Sequence, residues 1–351
     1  MISRKSCHSR ERIFAPSETS YSPRQFYISL VPSIGENMAL PAGQLRKFAQ
    51  SLAPKRQEMK EARQTVHKVT LALQTHFRRR HILSRVTTFG SFRKKTSITN
   101  MMDVDMIVYI SKGYPPFYEF INEIDELIQS QLFVNTRKDD FGLYFTYKGT
   151  KVDLLLAKNF LPPKGCRKAI VQHEKALEYV KSLPASERDK YSTSLSGVSV
   201  GFEKQRSSFS HSLSRLAKYW SKNVPVSNLR SPSCIMEYLG AWAAEKEGSS
   251  QDILSGFRYL LTMIINLDGM CVYWTEYYSV TEIPSSILSH RPLLLDPCNP
   301  YNNFMTLQNN EQYFQQMRKY ARKTLQRIDE EERSYFKGKS VDWKKILSVF
   351  E

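Results

Sequence analysis

Cysteine is sparse in this 351-residue chain, which holds only Cys7, Cys166, Cys234, Cys271 and Cys298. No two of them have Cys-x-x-Cys spacing, so the sequence offers no zinc site. An odd, scattered count in a chain of this size is not a disulfide framework and implies a reducing compartment. A long apolar run is missing too. The most apolar stretch, Phe257 to Trp274, is interrupted by Asn266, Asp268 and Gly269, too short and too polar to span a bilayer. The opening residues MISRKSCHSRERIF contain no apolar core and do not read as a secretory signal. The expected location is cytoplasmic, with no membrane partner. Acidic residues are also short: 34 Asp and Glu stand against 51 Lys and Arg, a net charge of +17. That excess favours a polyanionic partner.

Against this background the acidic residues that are present fall into a pattern. In TTFGSFRKKTSITNMMDVDMIVYIS, Val104, Met106 and Val108 alternate with Asp103, Asp105 and Ile107. Period-two alternation predicts a strand with two unlike faces, and both carboxylates project from one of them. Neighbouring carboxylates repel unless a proton or a cation stands between them. An all-oxygen site suits Mg²⁺ or Mn²⁺ rather than zinc. Asp153 lies in the apolar segment KVDLLLA, where a lone carboxylate is costly to bury without a partner. Gly90 and Ser91 precede the pair by a dozen residues. A glycine after a strand lets backbone approach phosphates, and Ser91 can donate a hydrogen bond. Lys94 and Lys95 follow on the same loop. An Asp-x-Asp pair or a Gly-Ser turn is common by itself; their order and spacing together point to two divalent metals and a nucleoside triphosphate.

The chain divides by composition. Residues 1–42 mix Ser, Pro, Arg and Tyr without periodicity and read as a flexible tail. Residues 43–190 are predicted to form a mixed α/β catalytic core. It starts on a single long helix from Ala42 to Arg80 with Pro54 as the candidate break. Strands are predicted at Val86–Phe89, Val104–Ile110, Phe141–Tyr147 and Lys151–Leu156, with a helix at Phe117–Gln131. Residues 191–351 are predicted to form a helical lobe, with helices at Glu203–Lys222, Ser233–Lys246, Ile253–Leu267, Cys271–Tyr277 and Glu311–Phe336. The fold class is thus α/β (α+β) and bilobal. On the first of these helices His211, Arg215, Lys218 and Lys222 share a face, and Arg215 and Lys218 are candidates to meet the triphosphate. Arg78 to Arg80 with Lys204 and Arg206 could form a basic surface for double-stranded RNA, which is read through phosphates and 2′-hydroxyls.

Three further segments carry a family resemblance. HSLSRLAKYWSKN, GFRYLLTMIINLDGMCVYWTEYY and RPLLLDPCNPYNN occur in the same order as similar segments of the 2′-5′-oligoadenylate synthases, a branch of the nucleotidyltransferase superfamily. The resemblance covers roughly residues 45 to 345. It implies a long spine helix and mixed-sheet core, an active site between the lobes, and activation by double-stranded RNA on the opposite face. It also implies polymerisation of ATP into 2′-5′-linked chains in antiviral sensing. Carried over, Asp103, Asp105 and Asp153 hold two Mg²⁺ ions, and Gly90, Ser91, Lys94 and Lys218 serve the nucleotide. Lys204 to Arg206 match the family's RNA-contacting Lys-Gln-Arg, Ser208 stands where the family has Thr, and Arg78 and Arg79 fall near another RNA-contacting position. Three departures matter. Ser233-Cys234 replace a Gln-Tyr whose Tyr stacks on a base, Thr88 replaces an RNA-contacting Lys, and Cys298-Asn299 replace Ala-Asp. The zinc loop of cyclic GMP-AMP synthases has no counterpart here. Zinc-free cyclic dinucleotide synthases and a catalytically silent RNA-binding module stand as the alternatives.

Overall fold

The computed structural model describes residues 41–77, 82–161, 168–226, 233–248, 252–306, 311–337 and 340–348. Arg78 and Arg79, named above for RNA, lie outside them, as does the segment 1–40. Leu40 to Glu351 form one compact unit. The predicted mixed α/β class is the class observed.

Two helices open it, α1 (Pro41–Ser51) and α2 (Arg56–Phe77), so the expected long helix is interrupted at Pro54, where the ring removes a backbone donor. Then come β1 (Leu83–Phe89), the five-residue α3 (Gly90–Lys94), β2 (Asp103–Ile110), α4 (Tyr118–Leu132), β3 (Thr136–Lys138), β4 (Gly142–Tyr147) and β5 (Thr150–Lys158). The strands form one sheet in the order β1-β2-β5-β4-β3. β2 and β5 run parallel at its centre, and the other pairings are antiparallel. Val104, Met106 and Val108 of β2, with Val152, Leu154 and Leu156 of β5, turn to the face covered by α2 and α4. There they meet Ala62, Val69, Leu73, Ile121, Ile124 and Ile128 in one apolar cluster. The aspartates are left on the other face.

The second half is mostly helical: α5 (Ala169–Lys181), α6 (Ser199–Lys204), α7 (Ser208–Asn223), α8 (Ser233–Glu247), α9 (Ile253–Ile265), α10 (Glu311–Tyr335) and α11 (Trp343–Ser348). The helix expected over Glu203–Lys222 is two helices. Ser207 caps the second, its hydroxyl accepting from Ser210 N at 3.2 Å, so the chain turns there. α7 and α8 pack closely because Gly240 lacks a side chain: a β-carbon there would lie 2.7 Å from the Ser214 backbone. Trp220 of α7 is fully buried and donates to Thr324 of α10 at 2.9 Å. Leu45 and Ala49 of α1, and Leu52 just after it, join this helical core rather than the sheet's.

One expected helix is absent. Cys271–Val272 form a short strand, β6, pairing in parallel with β7 (Leu293–Asp296), which pairs antiparallel with β8 (Asn299–Asn303). A short apolar run does not reveal its own period, and here the partner strand decides. Among the described residues no helix is long and apolar enough to cross a membrane.

Candidate active site

The acidic residues meet as the alternation predicts. Asp105 of β2 is the direct register partner of Asp153 of β5, and Asp103 lies two residues away on the same face. Burial, then the charges of Asp103 and Asp153, push the Asp105 carboxyl up to about 7. Burial and then Asp103 also raise Asp153. A face that holds carboxylates against their own repulsion fits hard divalent cations. The donor set is oxygen only and suits Mg²⁺ or Mn²⁺. Among the described residues, however, no three His, Cys, Asp or Glu side chains already stand as a closed metal cluster. Coordination by all three would require their side chains to turn toward a common point.

Gly90 sits against this face. Its φ is +60°, and a β-carbon on it would fall 1.7 Å from Oδ2 of Asp105. Glycine is thus required twice, by the left-handed backbone and by the carboxylate packed on it. Ser91 follows, its hydroxyl 3.0 Å from that of Ser97.

Lys94 and Lys218 come together, though not on an open surface. Both are about 95% or more buried, and both are held by Glu237 of α8. Lys94 Nζ lies 3.3 Å from one oxygen of Glu237 and donates to the Tyr238 hydroxyl at 3.1 Å. Lys218 Nζ lies 3.6 Å from the other oxygen and donates to Thr96 O and Oγ1 at 3.3 and 3.2 Å. The Thr96 hydroxyl also donates to Glu237. Burial alone would raise Glu237, but Lys218 and Lys94 outweigh it and hold the carboxyl below its ordinary value. Burial opposes the charge of Lys94, and Glu237 overrides it, so the ammonium is held more firmly than usual. Glu237, Thr96 and the α6 residue Glu203 escaped the sequence reading. The available signal was a lone acid inside the apolar window IMEYLGAWA. Glu203 is fully buried, and its carboxyl oxygens have no hydrogen-bond partner among the described residues. Burial, followed by repulsion from Glu237, pushes it up to about 8.

Arg215 reaches back to the same loop, donating to Lys95 O at 2.8 Å. Of the shared face expected on α7, Lys218 is buried while Lys222 is exposed. His211 Nε2 lies 3.0 Å from Glu203 O. Among the residues expected at RNA, Lys204 and Ser208 are exposed on neighbouring helices. Arg206 is committed elsewhere: it pairs with Glu245 at 3.0 Å and Glu276 at 2.7 Å and lies 3.7 Å over the Phe202 ring. Asp296, in the RPLLLDPCNP segment, is structural, accepting from Cys298 N at 2.8 Å in the β7–β8 turn.

Residues 172–344 match the family model described as 2'-5'-oligoadenylate synthetase 1, domain 2, C-terminus. The chain is 26% identical to the mouse 2'-5'-oligoadenylate synthase-like protein 1 over 308 residues, covering 76% of this chain and 59% of that protein. It is 25% identical to mouse 2'-5'-oligoadenylate synthase 1A over 63% of this chain and 69% of that one. The chain therefore spans little more than half the length of the first of these relatives. Among solved structures, CdnC of E. coli MS115-1, determined with ATP, aligns with a TM-score of 0.64 at 16% identity, over 87% of this chain and 97% of that one. The Cid1 poly(U) polymerase aligns with a TM-score of 0.56 at 10% identity, over 82% and 94%. The fold is similar to that of CdnC and Cid1, and the chain resembles the 2′-5′-oligoadenylate synthases, residues 172–344 matching the model of that family's C-terminal domain.

Proposed function

We propose that this protein is a nucleotidyltransferase that joins ATP into 2′-5′-linked oligoadenylates, releases pyrophosphate, and is switched on by double-stranded RNA in antiviral sensing within the cytoplasm. The observation that carries the reading is the in-register pair Asp105 and Asp153, with Asp103 beside them and Gly90 packed on Asp105. Asp103, Asp105 and Asp153 would hold two Mg²⁺ or Mn²⁺ ions. When bound, such ions polarise the α-phosphate and favour the ionised form of an attacking hydroxyl.

The chain's own groups supply the rest. Gly90 leaves room for the Asp105 carboxylate packed on it, and Ser91 offers phosphate oxygens a hydroxyl. Lys94 and Lys218 carry the charge a triphosphate needs, but in this state they neutralise Glu237. Engaging ATP means exchanging that carboxylate for the triphosphate. An activator that favours the exchanged state raises activity by shifting a population rather than by adding a chemical group. Lys204 and Ser208, exposed at the α6–α7 junction, suit RNA phosphates; α6 also carries Glu203, which neighbours the Lys94–Glu237 pair.

The test is an incubation of the full chain with Mg²⁺ and all four nucleoside triphosphates, with and without long double-stranded RNA. Products are resolved by mass and by linkage-specific nucleases. An RNA-dependent 2′-5′ adenylate ladder supports the reading. A single cyclic dinucleotide replaces it with a cyclising synthase, and RNA binding without any product replaces it with a silent RNA-binding module.

A further inference from the structure

On the face of the sheet opposite the aspartates, α2 and the β4–β5 turn enclose a groove of about 1200 Å³. Its lining is basic. Arg56, Lys60, Arg63 and His67 form one line along α2, separated by four, three and four residues, with Lys68 beside them and Lys148 on the turn across the groove. All six are exposed, and none makes an ion pair with another described residue. Glu61 is the acid in the lining, and it accepts a hydrogen bond from Gln57 at 2.7 Å. Tyr147 adds one half-exposed aromatic ring, with Lys148 Nζ 5.6 Å from its centroid.

The line from Arg56 to His67 is about 16 Å long at ~1.5 Å per residue. A duplex is read by shape from outside, typically across ~16 base pairs, and a groove this short does not provide that surface. A few nucleotides of single strand do fit it: cations follow the backbone and an aromatic ring offers a stacking surface. The groove also borders the two segments that feed the acidic face. Glu58 of α2 accepts from Thr99 Oγ1 at 2.8 Å and Asn100 N at 2.6 Å, in the loop that leads into Asp103. Thr150, at the end of the turn, lies three residues before Asp153. A chain growing at the aspartates and leaving around this end of the sheet meets the groove.

We propose that the groove between α2 and the β4–β5 turn binds a short single-stranded oligonucleotide through its phosphodiester backbone, and that its occupant is the enzyme's own oligoadenylate product. The proposal rests on the function proposed above. It places a product-holding track on the far side of the sheet, separate from the RNA-facing residues Lys204 and Ser208.

The test uses the full chain and a synthetic 2′-5′-linked adenylate tetramer with a 5′-triphosphate and a fluorophore, followed by anisotropy across a salt series. Lys60→Glu/Arg63→Glu is the main variant, and Lys148→Glu, across the groove, is the second. All three positions are solvent-exposed, and matched melting curves confirm that the variants fold. The double variant should bind the tetramer at least tenfold more weakly, with a log–log salt slope shallower by about 1.4, at ~0.7 per lost phosphate contact. Lys148→Glu should weaken binding in the same direction, and both variants should release shorter products. Equal tetramer affinity in wild type and variants overturns the proposal, as does a loss confined to duplex RNA. The parent reading fails by a different sign: wild-type protein that makes no adenylate chains at all.

Discussion

Oδ2 of Asp105 occupies the space that a β-carbon on Gly90 would need, the two positions being 1.7 Å apart. The loop at Gly90 and the acidic strand are therefore fitted to each other within the fold itself. Gly90→Ala should displace Asp105, force a left-handed alanine at a further cost of ~1–2 kcal/mol, and lower kcat by about 100-fold, the scale of a 1 Å misplacement. Steady-state kinetics beside a melting curve check this; near-normal turnover would detach Gly90 from the site.

Glu237 neutralises two buried lysines at once. Glu237→Ala leaves both charges without their counter-ion and should cost about 3–5 kcal/mol of stability, read as a shift in the denaturation midpoint. An unchanged midpoint would mean that the Lys94–Glu237–Lys218 arrangement contributes little to the fold.

Asp105 and Glu203 have pKa values raised to about 7 and about 8. The folded protein therefore keeps these protons at pH values where the unfolded chain has already lost them. The stabilisation is full below the ordinary carboxylate range and is lost as pH rises through 7 to 8. In metal-free buffer the melting temperature should fall between pH 6 and pH 9, and Glu203→Gln should reduce that fall. A pH profile identical in the variant would contradict the assignment to Glu203.

Lys204 and Arg206 should separate on mutation. Lys204 is exposed, and Lys204→Glu should weaken RNA activation and its salt dependence while leaving stability unchanged. Arg206 is held by Glu245 and Glu276, so Arg206→Ala should lower stability first. Equal effects of the two on RNA activation, with no stability difference, would contradict the buried role of Arg206.

The acidic face was legible in the sequence because its signal is local: alternation along β2 and one acid in an apolar strand fix which side chains share a face. Pro54 likewise marked its own helix break. The partner of Lys94 was not legible, since Glu237 lies 143 residues away and only the packing of α8 against α7 and of α3 against α6 brings them together. The same limit hid the carboxylates that engage Arg206. Cys271–Val272 was misread as helical because its partners on β7, Leu293 and Leu294, come 22 residues later. The groove on α2 is visible in sequence as a basic helix face, but Lys148 joins it only through the fold.

The most direct test of the central claim is RNA-dependent adenylate synthesis by the wild-type chain set against Asp103→Asn/Asp105→Asn, with RNA binding measured in both. The account predicts a 2′-5′ adenylate ladder from the wild type, none from the variant, and equal RNA affinity. Undiminished synthesis by the variant would contradict it.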